Sequence, residues 1–118
     1  MPNPVMRWQI VSPQVERLSE FYSTLFGWEI RRDNRLHYAM VDPGTEIGIP
    51  GGIWPAPPEA PSFAQLFIEV DDCAAYVARA NELGGATLIP PQALPDGDVL
   101  AILRDPAGVT FGVYQGGI

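Results

Sequence analysis

The side chains in this sequence that could do chemistry stand at alternate positions of two short apolar runs. Met6-Arg-Trp-Gln-Ile-Val11 places Trp8 and Ile10 on one face and Arg7 and Gln9 on the other. Gln65-Leu-Phe-Ile-Glu-Val70 repeats the pattern, with Leu66, Ile68 and Val70 on one side and Gln65, Phe67 and Glu69 on the other. A guanidinium, two amides and a carboxylate therefore face away from the aliphatic side, where a core would want carbon. Together they could bind and polarise a carbonyl or anionic oxygen. Phe67, Tyr114 and Trp54 would supply stacking surface for a planar or partly apolar molecule. A late strand adds Thr110, Gly112 and Tyr114 to that face, and a short fourth strand adds Glu46 and Gly48.

The remaining reactive groups read more blandly. His37 is the one histidine, and a lone strand histidine is more often structural than an acid–base group. Its ordinary pKa of about 6.5 keeps it as a candidate base if it points into a cleft. Cys73 opens a helix, where the dipole favours a thiolate, but Asp71 and Asp72 just before it oppose that. A small buried helix residue is the better reading. The two aspartates are helix caps. Glu69 is first a salt-bridged partner, for instance of Arg7, and second a candidate general base.

These side chains need elements to hold them. Val15, Leu18, Tyr22 and Leu25 form one helical stripe, widened by Phe21 and Phe26, so a helix is expected from about Gln14 to Phe26. Ser12-Pro13 would cap it, and Gly27 suits a left-handed stop. Strands are expected at Trp28–Arg32, Leu36–Val41 after an Asp33-Asn34 turn, and Glu46–Ile49 running into Pro50-Gly-Gly. A second helix spans about Cys73–Leu83, with Gly84 repeating Gly27 57 residues on. Strands follow at Thr87–Pro90, an edge because of Pro90-Pro91, then at Val99–Arg104 and Val109–Gln115. The strand–helix–three-strand unit is written twice. Between the copies, Pro50–Ser62 carries five prolines, which makes it a stiff linker. The expected layout is module one at about 4–53, a proline-rich linker at about 54–62 and module two at about 63–116. Trp54, within that linker, would plug an apolar groove or lid a pocket.

Length and composition bound the rest. A chain of 118 residues with 47% apolar and 18% charged residues is one globular domain. A net charge of −7 argues against nucleic acid and against anionic membranes. A single cysteine excludes an internal disulfide and suits a reducing compartment. With no signal-like apolar run near Met1, the cytoplasm is the expected location.

Phe21-Tyr-Ser-Thr-Leu-Phe-Gly-Trp28, Glu69-Val-Asp-Asp72, Glu82-Leu-Gly-Gly85 and Asp105-Pro-Ala-Gly-Val-Thr-Phe-Gly112 resemble the vicinal oxygen chelate superfamily. That group includes glyoxalase I, extradiol dioxygenases and bleomycin-resistance proteins. The resemblance implies an α+β fold of paired βαβββ modules forming a curved mixed sheet with a cleft, helices on the outer face. It also implies assembly as dimers. The superfamily's chemistry rests on a divalent metal held by four side chains, whose positions fall here on Arg7, Gly48, Gln65 and Gly112. Glycine offers no ligand and arginine repels a dication, so no metal site and no cofactor are expected.

The leading expectation is a metal-free protein that binds a small molecule through Arg7, Gln9, Gln65, Phe67, Glu69, Tyr114 and Trp54. The alternative is a metal-free isomerase or lyase with His37 or Glu69 as base and Arg7 stabilising an enolate. A third is a glyoxalase-like lyase or dioxygenase with displaced metal ligands such as Glu46, His37 and Gln65. The partner expected besides the ligand is a second copy of the chain.

Overall fold

The computed structural model describes residues 2–32, 38–95 and 97–116. It divides into two compact units, Arg7–Gln65 and Met1–Met6 with Leu66–Ile118. The expected α+β class and doubled βαβββ unit are both present. Module one comprises β1 (Val5–Ser12), α1 (Val15–Phe26), β2 (Glu29–Arg31), β3 (Ala39–Asp42) and β4 (Gly51–Pro55). Module two comprises β5 (Phe63–Glu69), α2 (Cys73–Glu82), β6 (Ala86–Ala93), β7 (Val99–Arg104) and β8 (Thr110–Gln115).

The two modules share one topology. In module one the strands run β2-β3-β4-β1, with antiparallel neighbours until the last pair, β4 and β1, which is parallel. In module two the order is β6-β7-β8-β5, and again only the last pair is parallel. Trp8 lies opposite Gly51 and Gln9 opposite Gly52, while Phe67 lies opposite Gly112. As expected, β6 is an edge, and its register shifts across Pro90-Pro91, where no N–H is available for the ladder.

Each helix covers one face of its own strands. Val15 and Leu18 of α1 pack with Trp8, Ile10, Ala39, Val41, Ile53, Trp28 and Ile30. Cys73 and Val77 of α2 pack with Val70, Ala101, Leu103 and Val113, flanked by Val99 and Phe111. Strand alternation then turns Arg7 and Gln9, and Gly112 and Tyr114, to the opposite faces. Gly27 ends α1 as expected: its φ of 74° is left-handed, and its N–H donates to the Ser23 carbonyl at 2.9 Å.

Five local expectations are corrected. Glu46–Gly48 lies in a bend and Ile49 is irregular, and the fourth strand is Gly51–Pro55. The prolines that argue against a sheet stand at its margins, Pro50 before it and Pro55 as its last residue, so little of the ladder is lost. Trp54 is consequently a strand residue, paired with Val11, rather than part of a linker. The α1 cap is Gln14, which makes no side-chain cap bond; Ser12 ends β1 and its hydroxyl accepts from the Gln14 N–H at 3.1 Å. The helical stripe is covered unevenly: half-buried Tyr22 stacks on Trp28 at 5.3 Å, but Phe21, Leu25 and Phe26 are more than half exposed. Leu66 is likewise 51% exposed, whereas its neighbours Gln65 and Phe67 are buried. The expected Asp33-Asn34 turn and the Leu36 and His37 start of the third strand lie outside the described residues.

Candidate functional site

The polar centre of the unit Arg7–Gln65 is built on β1 and the start of β5. Gln9 and Gln65 are both buried, at 8% and 6% exposure, and the Gln65 Nε2 donates to the Gln9 Oε1 at 2.8 Å. The Gln65 Oε1 is also buried and has no hydrogen-bond partner among the described residues. An unsatisfied buried carbonyl costs about 1–3 kcal/mol, so two amides here are an expensive way to fill a core. Tyr38, just ahead of β3, joins them: its hydroxyl interacts with Gln9 and with the half-buried Arg7. Burial pushes the Tyr38 phenol above its ordinary value, against the opposing pull of Gln9 and the Arg7 guanidinium, so it stays protonated at neutral pH. Its ring sits over the backbone of Gly52 and meets half-buried Trp54 at 5.5 Å between centroids. Arg7, Gln9, Gln65 and Trp54 are thus gathered within the compact unit Arg7–Gln65 as a donor-rich, aromatic-flanked cluster.

Tyr38 and Gly52 were not among the candidate residues. A glycine pair followed by Ile53-Trp54 carries some signal, since glycine within a strand often marks close approach of another group. The identity of that group depends on cross-strand contact, which no local pattern encodes.

The corresponding face of module two is different. Phe67 is only 5% exposed, and its ring lies over Gly112. Half-buried Glu69 accepts a hydrogen bond from the Tyr114 hydroxyl at 3.3 Å. Its backbone carbonyl accepts from the Asn3 amide at 3.2 Å, and Asn3 in turn accepts from the Tyr76 hydroxyl at 3.0 Å. An open groove beside Glu69, Asp71, Tyr76 and Gln115 borders this chain of contacts. Glu69 and Tyr114 are therefore paired, while Phe67 is packing rather than exposed stacking surface.

Other candidates are placed as follows. Cys73 is fully buried, and burial, helped by the Asp72 charge, pushes its thiol above the ordinary value, so it is an inert core residue as expected. Asp72 caps α2 by accepting from the Ala75 N–H at 3.1 Å. Glu46 is exposed in its bend. His37 lies outside the described residues. Among the described residues no three His, Cys, Asp or Glu side chains converge as a metal site would require. Nor do Arg7 and Gln65, within the unit Arg7–Gln65, suit a divalent ion, because they offer one amide oxygen beside a permanent cation.

A family model for a glyoxalase-like domain matches residues 9–114. The chain belongs to that family, and with it to the vicinal oxygen chelate superfamily. Solved structures share the fold at low identity. A hypothetical protein from Bacillus halodurans C-125 aligns with a TM-score of 0.74 and 15% identity, covering 100% of this chain and 97% of that one. A Streptomyces coelicolor methylmalonyl-CoA epimerase in complex with 2-nitronate-propionyl-CoA aligns with a TM-score of 0.68 and 16% identity, covering 98% and 96%. A Legionella pneumophila structure described as NAD-dependent benzaldehyde dehydrogenase aligns with a TM-score of 0.65 and 18% identity, covering 97% and 98%. No curated protein matches the sequence. Among the described residues no helix is long and apolar enough to cross a membrane.

Proposed function

We propose that this glyoxalase-like protein binds a small, partly apolar molecule carrying a carbonyl or anionic oxygen, without a metal ion. The observation that carries the reading is the buried Gln9–Gln65 pair beside Arg7 and Tyr38, polar groups placed where aliphatic packing would be more stable. In this reading Arg7 and the protonated Tyr38 hydroxyl donate to the ligand oxygen, and Trp54 flanks its apolar part. The buried, unpaired Cys73 suits a reducing compartment, and the cytoplasm is the proposed location. A homodimer is part of the same proposal: Phe21, Leu25 and Phe26 leave an apolar stretch of α1 to cover. Sedimentation showing a monomer at micromolar concentration would remove the dimer.

The test is a thermal-shift and NMR screen of small carboxylates and aromatic carbonyl compounds, followed by Arg7→Ala. Hits should lose roughly tenfold or more in affinity on losing a charge-assisted hydrogen bond. Hits unaffected by that exchange would sink the reading. A second reading, a metal-free isomerase or lyase, draws on Glu69 held by Tyr114 and on the likeness to methylmalonyl-CoA epimerases. Its base would be Glu69. Recovery of a bound compound unchanged favours the binding protein, and its conversion favours the enzyme.

A further inference from the structure

The superfamily resemblance places metal ligands on the first strand of each module and near the end of the last. The repeat allows those positions to be checked against register. Gln9 stands two residues after Arg7 and pairs with Gly52; Phe67 stands two residues after Gln65 and pairs with Gly112. The counterpart of Gly112 is therefore Gly52, not Gly48, which lies in the bend before β4. Both glycines are roofed. A Cβ at Gly52 would overlap Tyr38 at its Cζ and Oη, and one at Gly112 would overlap Phe67 at its Cε1 and Cδ1.

We infer that two aromatic rings, Tyr38 on Gly52 and Phe67 on Gly112, occupy the strand positions that carry metal ligands in metal-dependent relatives, so that each position is closed to a donor as well as lacking one. Neither glycine has a positive φ among those recorded for the chain, so backbone conformation does not require glycine there. The rings do. Of the two first-strand positions, Arg7 brings a fixed positive charge, and Gln65 already spends its amide nitrogen on Gln9. Three protein ligands are normally needed to hold a zinc-like ion, and one neutral amide oxygen remains. The inference stands apart from the proposed ligand: a chain that bound no small molecule could still have its glycines roofed in this way.

Two measurements test it. The first is a pair of double-mutant cycles, Gly52→Ala with Tyr38→Ala and Gly112→Ala with Phe67→Ala. Each glycine exchange alone should lower the thermal midpoint by about 5 °C or more through overpacking, and should cost almost nothing further once its ring is truncated. Additive effects would overturn the inference. The second is titration with Zn²⁺, Ni²⁺ and Mn²⁺, followed by elemental analysis after dialysis. The wild type and R7H/G52E should retain no stoichiometric ion, whereas R7H/G52E/Y38A should gain binding at least tenfold tighter than R7H/G52E. One ion per wild-type chain would overturn the inference, as would R7H/G52E binding as tightly as the triple variant. So would a triple variant that keeps the wild-type circular dichroism spectrum yet binds no better. If the triple variant does not fold, the cycles decide alone.

Discussion

The two modules follow the same course of strands and differ in what covers the face turned away from the helix. At matched register, module one sets Gln9 against a glycine, and module two sets Phe67 there. The phenylalanine covers its own glycine, Gly112. In module one the cover comes from Tyr38, a residue on another strand approach, and β1 keeps its amide for Gln65. One copy of the repeat has thus been packed like a core, and the other retains buried polarity beside a charge. Stability selects the first arrangement. The second makes sense where something must be bound, because buried polar groups cost more than the aliphatic side chains that could replace them.

The contrast can be broken at its centre. Phe67→Ala should empty a filled position and cost about 3–5 kcal/mol of unfolding free energy. Gln9→Ala strands the Gln65 amide and should cost less, about 1–3 kcal/mol. Urea denaturation of both variants checks this prediction. If Gln9→Ala proved the more damaging, the polar pair would be the structural element and the ring the dispensable one.

The helix starts offer a smaller version of the same comparison. Asp72 holds the Ala75 N–H, whereas the Gln14 side chain caps nothing and only accepts a long, exposed bond from Arg17 at 3.4 Å. Asp72→Ala should therefore cost about 1 kcal/mol and Gln14→Ala close to none, measured by the same denaturation. Equal costs would show that the α2 cap is idle.

The smallest expected effect is a pH dependence confined to module one. Tyr38 has its folded pKa raised above the ordinary 10.0. Its folded state therefore holds the proton longer than the unfolded chain does. That contribution is complete below pH 10.0 and is lost as pH rises from there through the folded value. Tyr38→Phe should flatten the fall in stability on that side, seen as a converging wild-type and variant melting curve against pH. A variant that falls as steeply as wild type would assign the alkaline loss elsewhere, with the Cys73 thiol, also raised, the next group to examine.

Much of this architecture is legible in the sequence because it rests on local periodicity. Alternation marks β1 and β5, the glycine stop marks the end of α1, and their repetition reveals two modules. β4 was hidden because its residues look wrong in isolation. Gly51 and Gly52 have little strand propensity, but they are suited to lie beneath Trp8 and Tyr38, and that fit exists only once three strands have met. Periodicity overstates the cover at Phe21 and Leu25 for a related reason: it shows which residues share a helix face, not how far the neighbouring strands reach along it. Within the candidate site, Arg7, Gln9, Gln65 and Trp54 could be named from alternation and composition. Tyr38 could not, since nothing local distinguishes it from any other strand aromatic.

The parallel pairing that completes each module bears on how the chain assembles. Trp8 meets Gly51 and Phe67 meets Gly112, partners 43 and 45 positions apart, whereas the antiparallel pairs join neighbours in sequence. The loop-closure penalty grows only as the logarithm of length, so the two modules face almost the same entropic barrier. Each can form its hairpins early and must then wait for its first strand to find its last. On this argument the opening strand of each module, which carries Arg7 in one case and Gln65 in the other, is expected to arrive late, and the Gln9–Gln65 pair, which joins the two opening strands, to form late with them.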